Sequence, residues 1–256
     1  MSTAKRREQL TLGLADAEPD DFSGRTVLVG VSGGVNSAGL LVHLLTAHPE
    51  DRRPARLLLF YAHLREHSPD TGRFALDCMR WARARHPDVA CGVHRASALD
   101  RFRAERFLPH PAVSPCTSWL KLEPMAAWAE SVGGFDVDLV GYVRHERRRV
   151  ERQRAKGGRA RYPVAHLSDA DCLALVDEHV GWHPAIYDLR REDGAPAFAN
   201  NNCLPCKNMH ARQLRLVQVH YPDYWDRAVE AAAEIGTYWG RSEEYAGDPC
   251  AACAFD

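Results

Sequence analysis

No apolar run in the 256 residues approaches the ~20 needed to cross a bilayer, and the opening stretch MSTAKRREQL lacks the apolar centre of a secretory signal. A soluble, cytoplasmic protein without membrane association is expected. Charge of one sign is missing too: 33 Lys and Arg against 34 Asp and Glu leave a net charge of −1, so overall charge argues for no nucleic-acid partner and only a local cluster can. Internal repeats and low-complexity tracts are absent, which leaves a chain long enough for one large domain, or one with an appendage, around a real hydrophobic core. Cysteine is not scarce. Eight cysteines in a reducing compartment favour metal ligands or reactive thiols over four disulfides, so their spacing matters.

Two nucleotide signatures are also absent, and what replaces them is informative. The stretch VGVSGGVNSAGLLVHLL (29–45) passes from an apolar strand-like run through a glycine loop into an apolar helix-like run, yet it has neither the Gly-Lys-Ser/Thr ending of a Walker A loop nor GxGxxG. Its loop is Ser32, Gly33, Gly34, Val35, Asn36 and Ser37. Small side chains let the backbone amides approach an anion, two serines add hydroxyls, and the following helix N-terminus adds its dipole. At the carboxyl end of a first strand this is where an open α/β sheet binds phosphate.

The alternation continues along the chain. ARLLLFYAHL (55–64), VACGVHR (89–95) and DVDLVGYV (136–143) read as strands, and Phe74, Cys78, Trp81 and Ala82 fall at helical spacing between the first two. KLEPMAAWAES precedes the last strand as a helix. Strands alternating with helices predict an α/β fold, a doubly wound parallel sheet. Ser168 reads as the N-cap of a helix through SDADCLALVDEHVG with acidic residues in its first turn, and YPDYWDRAVEAAAEIGTYWG reads as another helix. The expected organisation is a polar tail (1–24), a nucleotide-binding α/β domain (25–165) and a helical, cysteine-bearing C-terminal extension (166–256). A homo-oligomer is expected.

The cysteines divide by context. Cys78, Cys91 and Cys172 lie in apolar periodic segments and are expected to pack in the core. Cys203-Leu-Pro-Cys206 and Cys250-Ala-Ala-Cys253 lie in loops, and together they supply four thiolates suited to Zn²⁺ or an iron–sulfur cluster. Arg144, Arg147, Arg148, Arg149 and Arg152 follow the fourth strand at the same sheet edge as the glycine loop, where guanidinium groups can clamp a nucleotide or the phosphates of a nucleic acid.

SGGVNS resembles the SGGxDS loop of the PP-loop ATP pyrophosphatases, with Asn36 where that family has aspartate. The resemblance extends over roughly residues 26–206 to the phosphoadenylylsulfate (PAPS) reductase-like branch. CTSWLKLEPM (116–125) is similar to its CCxxRKxxPL element, with Thr117 for the second cysteine and Leu120 for the arginine. GYVRHERRRVER (141–152) is similar to its G-x-R-x-x-E strand end, with the spacing changed by one residue. YPVAHLSDADCLALVDEHVGWHPAIYD resembles the segment that precedes its CxxC. The resemblance implies that ATP and Mg²⁺ are bound without a P-loop lysine, that ATP is cleaved between its α and β phosphates, and that a substrate oxygen is adenylylated before a sulfur nucleophile displaces AMP, as in RNA thiolation or DNA phosphorothioation. It implies a catalytic anion contact for Lys121; Arg144 is expected to share that role because it follows the fourth strand directly. It also implies a 4Fe-4S cluster on Cys116, Cys203 and Cys206, with a tail cysteine such as Cys250 on the fourth iron or that iron left open; the zinc set of Cys203, Cys206, Cys250 and Cys253 remains the alternative. Partners would be a nucleotide and either a nucleic acid or a sulfur-donor protein. A second reading is adenylylsulfate or phosphoadenylylsulfate reduction, with Cys253 as the attacking tail thiol, although the ECGxH element of that branch is missing. A third is a nucleotide-binding subunit without catalysis, suggested by the lost carboxylate at position 36.

Overall fold

The computed structural model describes residues 20–109, 113 and 115–239. Five strands form one sheet in the order β3-β2-β1-β4-β5: β1 Thr26–Gly30, β2 Arg56–Leu64, β3 Val89–Ala96, β4 Val137–Leu139 and β5 Ala160–Arg161. β1 pairs in parallel with β2 on one side (Val27 opposite Leu57) and with β4 on the other (Val29 opposite Leu139), and β4 pairs in parallel with β5. Leu57 N donates to Asp88 O and Arg65 N to Ala96 O at the same offset, so β3 also runs parallel to β2. The fold is α/β, as the alternating pattern predicts. β1 and β2 are buried along nearly their whole length, which is why they read as unbroken apolar runs. From β1 the chain builds outward to β2 and β3, then returns to lay β4 on the other flank. That reversal is the topological switch point of the sheet.

Eight α-helices are described: α1 Val35–Thr46, α2 Thr71–Arg83, α3 Ala98–Glu105, α4 Glu123–Ser131, α5 Arg147–Ala155, α6 Asp169–His179, α7 Ala211–His220 and α8 Pro222–Ile235. A π-helical turn, Ser118–Leu122, leads into α4. Among the described residues no helix is long and apolar enough to cross a membrane.

The chain divides into two compact units built from interleaved segments. Unit 1 holds the described residues up to Tyr61, then Gly72–Val93 and Met125–His183. Its core joins Val27, Val29, Leu41, Leu44, Leu57, Leu59, Phe74, Leu139 and Val176, and it includes Phe22, which is 2% exposed. α1 lies against α6 closely enough that a Cβ at Gly39 would stand 2.7 Å from Cys172 Cβ. Unit 2 holds Ala62–Thr71, His94–Pro124 and the described residues from Pro184 onward. Its separate core joins Leu64, Leu99, Phe102, Ile186, Phe198, Leu204, Val217 and Trp225, with α8 packed on both α3 and α7.

One core assignment needs correction. Cys78 and Cys172 are buried, but Cys91 is exposed. β3 is an edge strand whose residues alternate, so Gly92 turns inward beneath the Trp128 indole, where a Cβ would lie 2.4 Å from the ring, while Cys91 turns outward. The helices α3 and α7 and the two-residue strand β5 have no counterpart in the periodicity reading.

Candidate functional site

In unit 1, residues 32–37 leave the carboxyl end of β1 beside the switch point and open α1. Gly33 has φ 79°, a left-handed conformation that suits glycine, and Gly34 is the N-cap of α1 with no side-chain hydrogen bond capping it. No acidic residue occupies the first turn, so the positive end of the helix dipole is not neutralised from within. The serines brace this loop. Ser37 Oγ accepts from Ser32 N (3.0 Å), donates to Gly34 O (3.0 Å) and lies 2.8 Å from Ser32 Oγ, which in turn accepts from Gly34 N at 3.2 Å. Ser37 is buried and Ser32 exposed, so Ser32 is the serine placed at the surface of the loop.

The segment after β4 presses on this loop. A Cβ at Gly141 would lie 2.9 Å from Asn36 O and 3.2 Å from Ser37 Cα, so only glycine lets the chain pass so close to the first turn of α1. Beyond it, Arg144 is tied down: its N donates to Leu167 O at 2.7 Å, and its Nε and Nη2 donate to His166 O at 3.0 and 2.7 Å. That guanidinium braces the approach to α6. Asn36 Nδ2 donates to Asp169 Oδ1 at 2.8 Å, and His145 Nδ1 lies 3.1 Å from Asp169 Oδ2. Asn36 Oδ1 is buried without a hydrogen-bond partner among the described residues. Asp169 is marked in the sequence only as a first-turn acid of α6; its place beside Asn36, 133 residues away, follows from the packing of α1 on α6.

Unit 2 contains a cavity of about 110 Å³ whose lining includes Cys116, Cys203, Cys206, Lys121, Lys207 and Glu66. Five segments build it: the end of β2 with its turn, α3, residues 116–121, the CxxC loop at 202–208, and Trp239. The CxxC loop is fastened to the turn after β2 by Leu204 N on Glu66 O (2.7 Å) and by Asn201 Nδ2 on Thr71 Oγ1 (2.8 Å). The Glu66 carboxylate is already engaged at the start of α3, accepting from Ser97 Oγ at 2.7 Å and Ala98 N at 2.8 Å. Burial pushes the Cys203 thiol up to about 12, with the Lys121 ammonium pulling the other way, and burial also raises Cys206. Burial and the Lys121 charge push His67 down to about 3. Lys207 Nζ is buried without a hydrogen-bond partner among the described residues. Nothing in the sequence marks Lys207 as part of this cavity.

Among the described residues no group of three or more His, Cys, Asp or Glu is arranged to hold a metal ion. Cys250 and Cys253 lie outside the described residues.

No protein-family model matches the sequence, and no curated protein matches it. Among solved structures the chain is similar to NAD+ synthetase from Burkholderia pseudomallei, 17% identical, covering 88% of this chain and 91% of that one with a TM-score of 0.39. It is similar to NMN synthetase from Francisella tularensis at 14% identity, covering 90% and 96%, with a TM-score of 0.42. U34-tRNA thiolase NcsA from Methanococcus maripaludis, with its 4Fe-4S cluster, is 10% identical and covers 94% and 80%, with a TM-score of 0.45.

Proposed function

We propose that the chain is an ATP-utilising enzyme of the PP-loop type that adenylylates a substrate and supports sulfur transfer to a nucleic acid. The observation that carries this reading is the loop at residues 32–37: a braced backbone turn with Gly33 at positive φ, at the switch point of a parallel sheet, opening a helix whose first turn has neither a side-chain cap nor an acid. Such a loop offers backbone amides and a dipole to the phosphates and does without a lysine. A substrate oxygen attacks the α-phosphorus, the bond to the bridging oxygen breaks, and pyrophosphate leaves with that electron pair. A sulfide-level donor then forms a bond at the activated centre, and AMP leaves with the substrate oxygen.

The unit 2 cavity supports the sulfur role. Its three thiols and two lysines suit an anionic metal–thiolate group, and buried thiols held protonated in the free protein lose their protons when metal binds. A single zinc ion needs its sulfurs only ~3.8 Å apart, from Zn–S bonds of ~2.3 Å in a tetrahedron, whereas a cluster offers each thiolate its own iron and accepts a wider set. Cys116, Cys203 and Cys206 would hold the cluster. Held by these three thiolates, such a cluster would supply the sulfur-carrying chemistry of the second step.

The acceptor class follows from α5 and the chain just beyond it. Between residues 147 and 161 eight Lys and Arg stand against Glu151 alone, and Val150 is the one buried residue of the helix. Arg147 is paired with Glu151 and Arg149 with Glu146, while Arg148 and Arg152 are exposed with no acidic partner among the described residues. An exposed basic helix without an apolar face suits a phosphate backbone and gives a membrane nothing to bury.

The test is product analysis. With ATP, Mg²⁺ and a mixed pool of RNA, AMP and pyrophosphate are expected, and Gly34→Val should abolish them because its side chain stands where the anion approaches. ADP with orthophosphate would contradict the reading. Sulfite released from adenylylsulfate with a thiol donor would move the assignment to the reductase reading. Arg148→Ser with Arg152→Ser should weaken RNA binding and flatten its salt dependence, since every phosphate left without its guanidinium lowers the log–log slope by roughly 0.7–0.9.

A further inference from the structure

We propose that His43, His48 and His166 form an acid-sensitive latch in unit 1. While all three rings are neutral it fastens the end of α1 to the chain before β1 and to the segment that leads into α6, and a proton entering the cluster releases both. The latch is independent of the ATP and sulfur reading. His43, in the last turn of α1, meets His166 edge-on with ring centroids 5.6 Å apart and His48 with centroids 6.4 Å apart. Each ring carries a nitrogen that is buried without a hydrogen-bond partner among the described residues: Nδ1 of His43, Nδ1 of His48 and Nε2 of His166. Buried polar groups are nearly always paired, so three such atoms in one cluster call for a reason.

The contacts of the rings settle which nitrogens are bare. A carbonyl can only accept, so His48 Nε2, in contact with Asp20 O, carries the hydrogen and leaves Nδ1 a bare lone pair in the neutral ring. Phe22 stacks on this ring at 5.3 Å, which joins the chain before β1 to the core. His166 bonds to the backbone of Pro163, which has only a carbonyl to offer; with Nε2 unpartnered, Nδ1 is the donor. His166 O in turn accepts the Arg144 guanidinium, so the same segment holds the chain after β4.

A proton added here finds no carboxylate to offset it at His43. The titratable groups that act on His43 are His166 and His48, and Cys172 of α6 packs on α1 one turn earlier, at Gly39, with its thiol held protonated by burial. Arg144 faces His166, with Asp171 opposing it, while at His48 the Arg53 Nε donates to the backbone O at 3.1 Å and is itself paired with Glu50. Burial first, and then His166 and His48, push His43 down to about 4 from its ordinary 6.5. Burial and Arg144 hold His166 below its ordinary value as well. Once the cluster opens, His43 takes up its proton as pH falls through 6.5, whereas the closed cluster refuses it down to about 4. The closed form therefore loses ground from 6.5 downward, and the loss from His43 alone is ~30-fold in the closed-to-open ratio at about pH 5.

Amide hydrogen exchange of the full chain at about pH 7.5 and about pH 5, each corrected for the intrinsic chemical rate, reads the latch. Peptides covering residues 43–48 and 163–167 should lose ~30-fold of their protection on acidification. In His43→Leu, which keeps the bulk without the titrating nitrogen, the loss should be less than ~tenfold. A wild-type loss below ~tenfold overturns the proposal, as does a loss of ~tenfold or more in His43→Leu shown folded by circular dichroism. Should His43→Leu not fold, exchange of the imidazole C2 hydrogen in the wild-type chain gives the His43 midpoint directly, resolved from His48 by fragmentation. A midpoint below about 5.5 is expected, and one at or above about 5.5 overturns the latch.

Discussion

In unit 1 the residues of the proposed anion cradle are consecutive, Ser32 to Ser37, whereas in unit 2 Cys116 meets Cys203 and Cys206 only after the chain has passed through the whole of α4, β4, α5 and α6. The cradle works through its backbone. Its side chains are small, and its serines serve to hold the turn closed. The cavity is lined by side chains, with burial raising its Cys203 and Cys206 thiols and Lys121 pulling the other way. A site made of backbone is written in a short run of sequence, while a site made of side chains is assembled by topology. The two should therefore fail in different ways when disturbed.

The largest expected effect is at Gly141. Gly141→Ala places a methyl 2.9 Å from the Asn36 carbonyl, where backbone must yield, and a destabilisation of roughly 1–3 kcal/mol is expected, together with a loss of ATP affinity. Thermal melts and calorimetry check both. Unaltered ATP affinity would mean that the cradle does not depend on its neighbour after β4.

The next effect concerns a buried carboxyl. Burial pushes Asp138 of β4 up to about 6 from an ordinary 3.8, with Arg159 pulling it partly back. A carboxyl raised by folding costs nothing well below 3.8, at about pH 2.5, where it is protonated in both states. The cost grows as pH rises from about 4 to 6 and is constant above that. Asp138→Asn should therefore stabilise the protein at pH 8 by at most about 3 kcal/mol and leave it unchanged at about pH 2.5. Equal stabilisation at both pH values would show that the carboxyl is not held protonated by burial.

The smaller effect belongs to unit 2. Lys207→Met removes a buried ammonium that lacks a hydrogen-bond partner among the described residues, so the metal-free protein should gain about 1 kcal/mol. Iron retained after anaerobic reconstitution should fall in the same variant, because the ammonium offsets the charge of the thiolates. A variant that keeps its iron would remove Lys207 from the cavity's role.

Much of unit 1 is legible in the sequence because its signals are local. The strand–loop–helix at 26–46, the buried stripe at Phe74, Cys78, Trp81 and Ala82, and the Ser168 cap all depend on residues within a few positions of one another. Cys91 is misplaced by periodicity, which marks an apolar segment without saying which strand lies at the sheet edge. Gly141 stands in a motif, yet its reason, the close approach to Asn36, exists only once α1 and β4 are in place. Asp169 is the sharper case. Its spacing in sequence suits a helix cap, and Ser168 with Asp171 performs that task instead. In unit 2 the spacing of the CxxC is visible, and the family resemblance brings Cys116 to it. Lys207 and His67 carry no pattern at all.

The most direct measurement is amide hydrogen exchange of the full chain with and without ATP in EDTA, which reads the backbone of the cradle itself and needs neither a variant nor an acceptor. Slowed exchange at the peptide covering Ser32 to Ser37 is expected when ATP is added. ATP binding that protects other segments and leaves residues 32–37 exchanging as before would contradict the assignment.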